Sequence, residues 1–201
     1  VVGFVERGGG LLLLGNWNHH IAGSNLNELA SYFNVKLLPG IVLSTKEGCF
    51  DGTPWNVVIR LLEGHPLSEN VSSVVLFSPC PLDVRAPARG LAFVDEDYAI
   101  ASSPFEIARS AMEEPVVAYL TYGRGKVVVV GDVYFLSDEG LRRAANRTFA
   151  LNIFRWLAKE EELAEVAPIP LARPRRPPGI SILDFITPEA KGVLAKYKIQ
   201  E

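Results

Sequence analysis

GGGLLLLGN at residues 8–16 and GRGKVVVVGD at residues 123–132 share one pattern. Glycines lead into four aliphatic residues, then a single Gly, then a polar residue, Asn16 or Asp132. Four consecutive apolar residues bounded by glycine read as a strand buried on both faces. In sheets of that kind ligands collect at the carboxyl ends of the strands, where Asn16 and Asp132 fall. The fold class expected from this is α/β, flavodoxin-like: a mostly parallel sheet with helices on both faces. The segments Val116–Thr121 and Lys126–Val130 join across Tyr122-Gly-Arg-Gly125 as an antiparallel hairpin.

Working outward, Val1–Arg7 spaces Val1, Phe4 and Val5 on one helical face, with Gly8 at the C-cap. Seven residues make a poor free-standing helix. The reading therefore expects an element whose beginning lies upstream, and a truncated N-terminal sheet edge that a second copy or an upstream segment would cover. A helix over Leu26–Phe33 is capped by Ser24 or Asn25. Strands are expected at Lys36–Leu43 (interrupted by Pro39-Gly40), Asn56–Leu62, Val71–Phe77, Gly90–Val94 and Ala99–Ser103. Phe105–Met112 reads as one or two helical turns. Leu141–Lys159 is the longest helix, with Ala145, Phe149, Ile153, Trp156 and Leu157 on one side. One domain covers residues 1–165. Residues 166–187 form a linker, because Ala167–Pro178 holds five prolines and three arginines and cannot be regular helix or strand. Residues 188–201 have the spacing of a short helix, for which packing back on the domain is favoured over binding a partner.

The 201 residues are 48% hydrophobic, enough for a sizeable core, and the formal net charge is −3. That balance gives no drive toward nucleic acid or an anionic membrane. No apolar run is long enough to span a bilayer, and no signal peptide is visible, so a cytoplasmic location is expected. Cys49 and Cys80 form no metal-ligand spacing and read as two free, buried thiols. The arginines of the linker read as solvated rather than as a nucleic-acid contact.

The matches FVERGGGLLLLG, SNLNELASYFNV, HPLSENVSSVVL, YGRGKVVVVGDVYFLSD and NRTFALNIFRWL, in that order, cover Val1 to Leu157. Their order and spacing resemble the class I glutamine amidotransferase-like superfamily. The similarity is to its non-catalytic branch, the domains found in intraflagellar-transport, gliding-motility ABC accessory and oligosaccharyltransferase subunits. In catalytic relatives a Cys sits on a sharp elbow after the first of these strands, and a His from a later strand serves as its base. The resemblance places the elbow at Asn16 or Trp17 and the base near Asp132. None of the three supplies that chemistry. The resemblance therefore implies a scaffold without its Cys–His pair, with no catalytic residue and no cofactor.

The candidate ligand-binding residues are Asn16, Trp17, His19, His20, Asp132 and Ser137. The alternatives for the His19-His20 segment are a metal held by one His with Asp132 and a solvated surface loop; the loop is favoured because dedicated sites need three or four convergent ligands. Asp132 has two open readings: a ligand contact, or an acceptor for the backbone N–H groups of Val133–Ser137. Asn146 either bonds a carbonyl under the sheet edge or faces water. The function expected is a non-enzymatic binding or scaffolding domain, with a protein partner, self-association or a small polar ligand. The alternative is a hydrolase or transferase with a reworked site. An enzyme requires Asn16, a His and Asp132 to converge in a pocket; a scaffold leaves them apart or bonded to the backbone.

Overall fold

A computed structural model describes residues 1–18, 22–102 and 109–159. Its elements in chain order are α1 (Val2–Glu6), β1 (Gly10–Leu14), α2 (Leu26–Ala30), β2 (Val35–Leu37), β3 (Ile41–Leu43), β4 (Phe50–Asp51), β5 (Thr53–Arg60), β6 (Ser73–Phe77), β7 (Leu82–Val84), β8 (Arg89–Val94), β9 (Ala99–Ala101), β10 (Arg109–Ser110), β11 (Glu114–Tyr122), β12 (Gly125–Val130) and α3 (Asn146–Ala158). The expected linker and terminal helix lie outside the described residues.

The two GG-aliphatic segments are neighbours. β1 runs parallel to β12 with Leu11–Leu14 in register with Val127–Val130. The hairpin is present too: β11 pairs antiparallel with β12 from Val117↔Val130 to Tyr122↔Gly125. Its two-residue loop opens on Gly123 at φ +58°, a left-handed position that glycine enters without steric cost. β8 completes a four-stranded sheet in the order β1-β12-β11-β8.

Side chains of β12 alternate between two cores. Val128 and Val130, with Leu12 and Leu14, join Val57, Ile59, Leu76, Phe149 and Ile153 on one face. Val127 and Val129, with Leu13, join Val5, Ala30, Phe33, Leu37 and Leu82 on the other. That is the period-2 alternation of a strand with no solvent face. Each fully buried Val, Leu or Phe contributes about 1.5–3 kcal/mol of transfer free energy, so these two layers carry most of the stability.

The architecture is nevertheless more β-rich and less parallel than expected. Among the described residues β1–β12 is the one parallel pair; every other ladder there is antiparallel. The remaining strands form three small sheets, β10-β9-β3, β2-β7 and β4-β5-β6. Parallel neighbours require long crossovers, whereas this chain joins β4 to β5, and β11 to β12, by tight turns. One face of the main sheet is covered by α3 together with β5 and β6. The other is covered by the short α1 and α2 together with β2 and β7.

Several expected elements divide or shift for local reasons. Lys36–Leu43 splits at Pro39-Gly40 into β2 and β3, which belong to different sheets; Gly40 has φ +125° there. Leu26–Phe33 is α2 followed by a 3-10 turn at Ser31–Phe33, and Ser24 Oγ accepts the Leu26 N–H at 3.1 Å. The long helix starts at Asn146 rather than Leu141: Gly140–Arg142 is a 3-10 turn and Ala144 has φ +38°, which breaks the run. In the turn before it, Arg143 bonds Glu139 at 2.8 Å and Asp51 at 3.1 Å. Of the turns expected at Phe105–Met112, Arg109–Ser110 is a strand paired with β9; residues 103–108 lie outside the described residues.

Two asparagines on helices do the work of a missing strand. On α2, Asn27 Oδ1 accepts the Leu37 N–H at 2.8 Å and its Nδ2 donates to the Leu37 carbonyl at 2.9 Å. The side-chain amide thus pairs with β2 as a neighbouring peptide unit would. Asn27→Ala is expected to cost about 1–2 kcal/mol, since it removes two hydrogen bonds between the α2 side chain and the Leu37 backbone; urea unfolding measures it.

Candidate functional site

The carboxyl edge of β1 and β12 is built around a third segment, Ser78-Pro-Cys-Pro81. Ser78 ends β6 with φ +53° and turns the chain across the sheet edge. Pro79 and Pro81 carry no N–H, so of these three residues only Cys80 can donate. Its N–H bonds the Gly131 carbonyl at 2.9 Å, while the carbonyls of Pro79 and Pro81 accept from Val42 and Leu38 at 2.9 and 2.8 Å. The segment therefore joins β12 to the chain around β2 and β3.

Both glycines that end the repeated pattern pack against it. A Cβ on Gly131 would lie 2.1 Å from the Cys80 carbonyl oxygen, and one on Gly15 would lie 3.0 Å from its sulfur. Cys80 thus occupies the sheet edge beside Gly15 and Gly131, a placement its distance in sequence concealed. It is fully buried. Burial pushes its thiol up to about 12; the charge of Asp132 adds to this, and the N–H groups of Cys80 and Asn16 oppose it. Such a thiol is protonated at neutral pH, where the thiolate is the nucleophilic form. Cys49 is also free but only half-buried.

Asp132 has no exposed surface. Its Oδ1 accepts the Tyr134 N–H at 2.7 Å, and its Oδ2 accepts those of Phe77 and Phe135 at 2.9 and 3.0 Å. Both oxygens thus bond backbone, in the loop after β12 as one reading of this residue had it, and also at the end of β6. Burial raises its carboxyl to about 6, against the pull of the three N–H donors.

Asn146, wholly buried, completes the same edge. Its Oδ1 accepts the Val75 N–H at 2.8 Å, and its Nδ2 donates to the carbonyls of Val75 at 2.8 Å and Gly140 at 2.9 Å. Val74 and Leu76 face β5 across the register while Val75 and Phe77 meet Asn146 and Asp132. Hydrogen-bonding direction alternates along a strand, so two side chains finish the β6 edge that a further strand would otherwise cover.

The other candidates are more peripheral. Asn16, half-buried, accepts the Asn18 N–H through Oδ1 at 3.3 Å. Trp17 is half-buried beside it. Ser137 is exposed, and its Oγ accepts the Gly140 N–H at 3.0 Å, closing the turn that precedes Asn146. His19 and His20 lie outside the described residues. The structure thus brings Asn16, Cys80 and Asp132 to one edge and places Ser137 in the turn leading to α3. Among the described residues no cluster of three or more His, Cys, Asp or Glu could hold a metal, no buried side-chain nitrogen or oxygen lacks a hydrogen-bond partner, and no helix is long and apolar enough to cross a membrane.

No protein-family model matches the chain, and no curated protein matches it. Among solved structures it is similar to the mmIFT52 N-terminal domain, with TM-score 0.61 and 20% identity over 77% of this chain and 67% of that one. Two proteins of Salmonella typhimurium also align. Cytoplasmic protein STM1381 gives TM-score 0.44 and 17% identity over 78% of this chain and 58% of that one. Cytoplasmic protein STM3548 gives 0.44 and 16% over 77% and 57%. The likeness to the first is one of fold.

Proposed function

We propose that this chain is a non-enzymatic binding or scaffolding domain on a degenerate amidotransferase-like fold, serving a protein partner or a small polar ligand in the cytoplasm. The observation that carries the reading is the commitment of Asp132: both carboxylate oxygens bond backbone amides, beside a Cys80 whose thiol is buried and protonated. A reacting site needs groups that can approach substrate and exchange protons with it. Here they stabilise the edge instead. Asn16, Trp17 and Ser137 are then the candidate recognition residues around a closed edge, with His19 and His20 proposed beside them from the sequence alone. The division into a domain over residues 1–165, a linker over 166–187 and a helix over 188–201 belongs to this proposal, with self-association as one form of partnering.

Thiol labelling tests it. In a Cys49→Ala variant Cys80 is the remaining cysteine. Treated natively with a disulfide reagent at pH 8, it is expected to react more than about 100-fold slower than after unfolding, as thiolate scarcity and burial both dictate. Stoichiometric labelling of the native protein at the rate of a free thiol would show a reactive elbow and overturn the reading.

A further inference from the structure

Two strand edges of this chain are closed by side chains, β2 by Asn27 and β6 by Asp132 and Asn146. β7 pairs with β2, and among the described residues neither a strand nor a side chain closes its other side. The bonds that flank this ladder fix its phase. Leu38 N–H donates to the Pro81 carbonyl at 2.8 Å, and Arg85 N–H to that of Asn34 at 2.9 Å. Bonded and non-bonded pairs alternate in an antiparallel ladder. Lys36 and Asp83 are therefore a bonded pair, whereas Leu37 and Leu82, like Val35 and Val84, turn their N–H and C=O groups away from each other. On the β2 side those of Leu37 meet Asn27. On the β7 side those of Leu82 and Val84 point to the open edge.

That edge borders a cleft of about 550 Å³. Leu82, Val84, Phe93 and Pro115 give it apolar walls, and its charged residues are Asp83, Glu113 and Glu114. Asp83 is paired with Arg85 at 2.9 Å, and Glu114 with Arg109. Glu113 is exposed and has no ion pair among the described residues. One uncompensated carboxylate thus remains at the cleft. Leu82 is 1% exposed, so water reaches its backbone poorly. A peptide group left without a strand there favours a partner that supplies its hydrogen bonds.

We propose that the open edge of β7 docks an extended segment of a partner protein, which adds as a third strand to the sheet of β2 and β7 and brings a basic residue to Glu113. The backbone decides the class. Leu82 and Val84 offer donor–acceptor pairs two residues apart, a repeat of roughly 7 Å that another strand matches along its length. Side chains on one face of the added strand enter the cleft, whose volume lies within the roughly 300–1,000 Å³ typical of ligand sites. The charge argues against a second copy joined β7 to β7, which would set Glu113 and its acidic neighbours against themselves. The proposal rests on the scaffold reading in supplying a protein partner, and Cys80 labelling tests that reading separately.

Random octapeptides displayed on phage and panned on the full chain test this, with the recovered sequences resynthesised and titrated by fluorescence anisotropy. Peptides with alternate apolar residues and a Lys or Arg are expected, binding at about 1–100 µM. Methylating the alternate amides that face β7 weakens them at least about tenfold, and methylating the amides between leaves them unchanged, as only a paired strand requires. Val84→Pro removes an outward N–H and no ladder bond, so an equal loss is expected. If circular dichroism shows that this variant does not fold, the methylation series decides alone. Glu113→Gln weakens the basic peptides at least about threefold and leaves their norleucine counterparts unchanged. The proposal is overturned if no recovered peptide binds tighter than about 1 mM, if the position of methylation makes no difference, or if affinity is full in both Glu113→Gln and folded Val84→Pro.

Discussion

Asp132→Ala is expected to lower the unfolding free energy by about 3–6 kcal/mol in urea denaturation. Three backbone N–H groups, of Phe77, Tyr134 and Phe135, lose their acceptor together. Each buried donor left unpaired costs about 1–3 kcal/mol. Against a total stability of about 5–15 kcal/mol, that is a large share from one side chain. Asp132→Asn retains one acceptor oxygen, but turns an amide N–H₂ toward the donors its second oxygen served. A loss of roughly half the alanine value is expected.

The same residue gives the protein a pH dependence of definite sign. The Asp132 carboxyl is raised from 3.8 to about 6 in the folded chain, chiefly by burial. Between those values the native state holds a proton that the unfolded chain has released. The contribution to stability is therefore complete below about pH 4 and is lost as the pH rises through about 6, amounting to about 3 kcal/mol in all. Unfolding free energies across that interval should fall for the wild type and stay flatter for Asp132→Asn. A wild-type stability that rose through this window by the same amount would reverse the account of this carboxyl.

Asn146→Ala is expected to cost about 3–5 kcal/mol, the second-largest effect of a single substitution. It removes three hydrogen bonds at full burial, leaving the Val75 N–H and carbonyl without the Asn146 side chain and the Gly140 carbonyl with the Arg143 N–H alone, and it leaves a small cavity. Asn146→Asp tests the pairing more finely, since a carboxylate still accepts from Val75 but faces two carbonyls. It should be at least as damaging above pH 5. Equal stability of the wild type and Asn146→Ala in urea would mean that β6 needs no partner on this edge.

Much of the fold follows from short-range pattern. The four-aliphatic runs, bounded by glycine, are neighbouring strands, of which β12 is buried on both faces and β1 only in part, and Tyr122–Gly125 closes a hairpin because Gly123 takes the left-handed position. The division into four sheets does not follow, since alternation within β2 or β3 says nothing about which distant strand each one meets. Asn146 shows the same limit at the site. Its partner Val75 is 71 residues away, and an asparagine early in a helix equally suits solvent. Cys80 is legible as a buried thiol but not as the residue seated against Gly15 and Gly131, since only the path of Ser78–Pro81 brings it there. The bidentate pattern of Asn27 with Leu37 had no local signal either. Side-chain amides that replace strands leave no periodicity to detect.

Amide hydrogen exchange of Phe77, Tyr134 and Phe135 in the native wild type tests the central claim most directly, that Asp132 is spent on holding the sheet edge. If it is, all three amides exchange only through global unfolding, with protection matching the full unfolding free energy. Exchange of these amides at the rate of the exposed loop residues, while β12 stays protected, would show the carboxylate released from the backbone and open to a ligand, and would contradict the account.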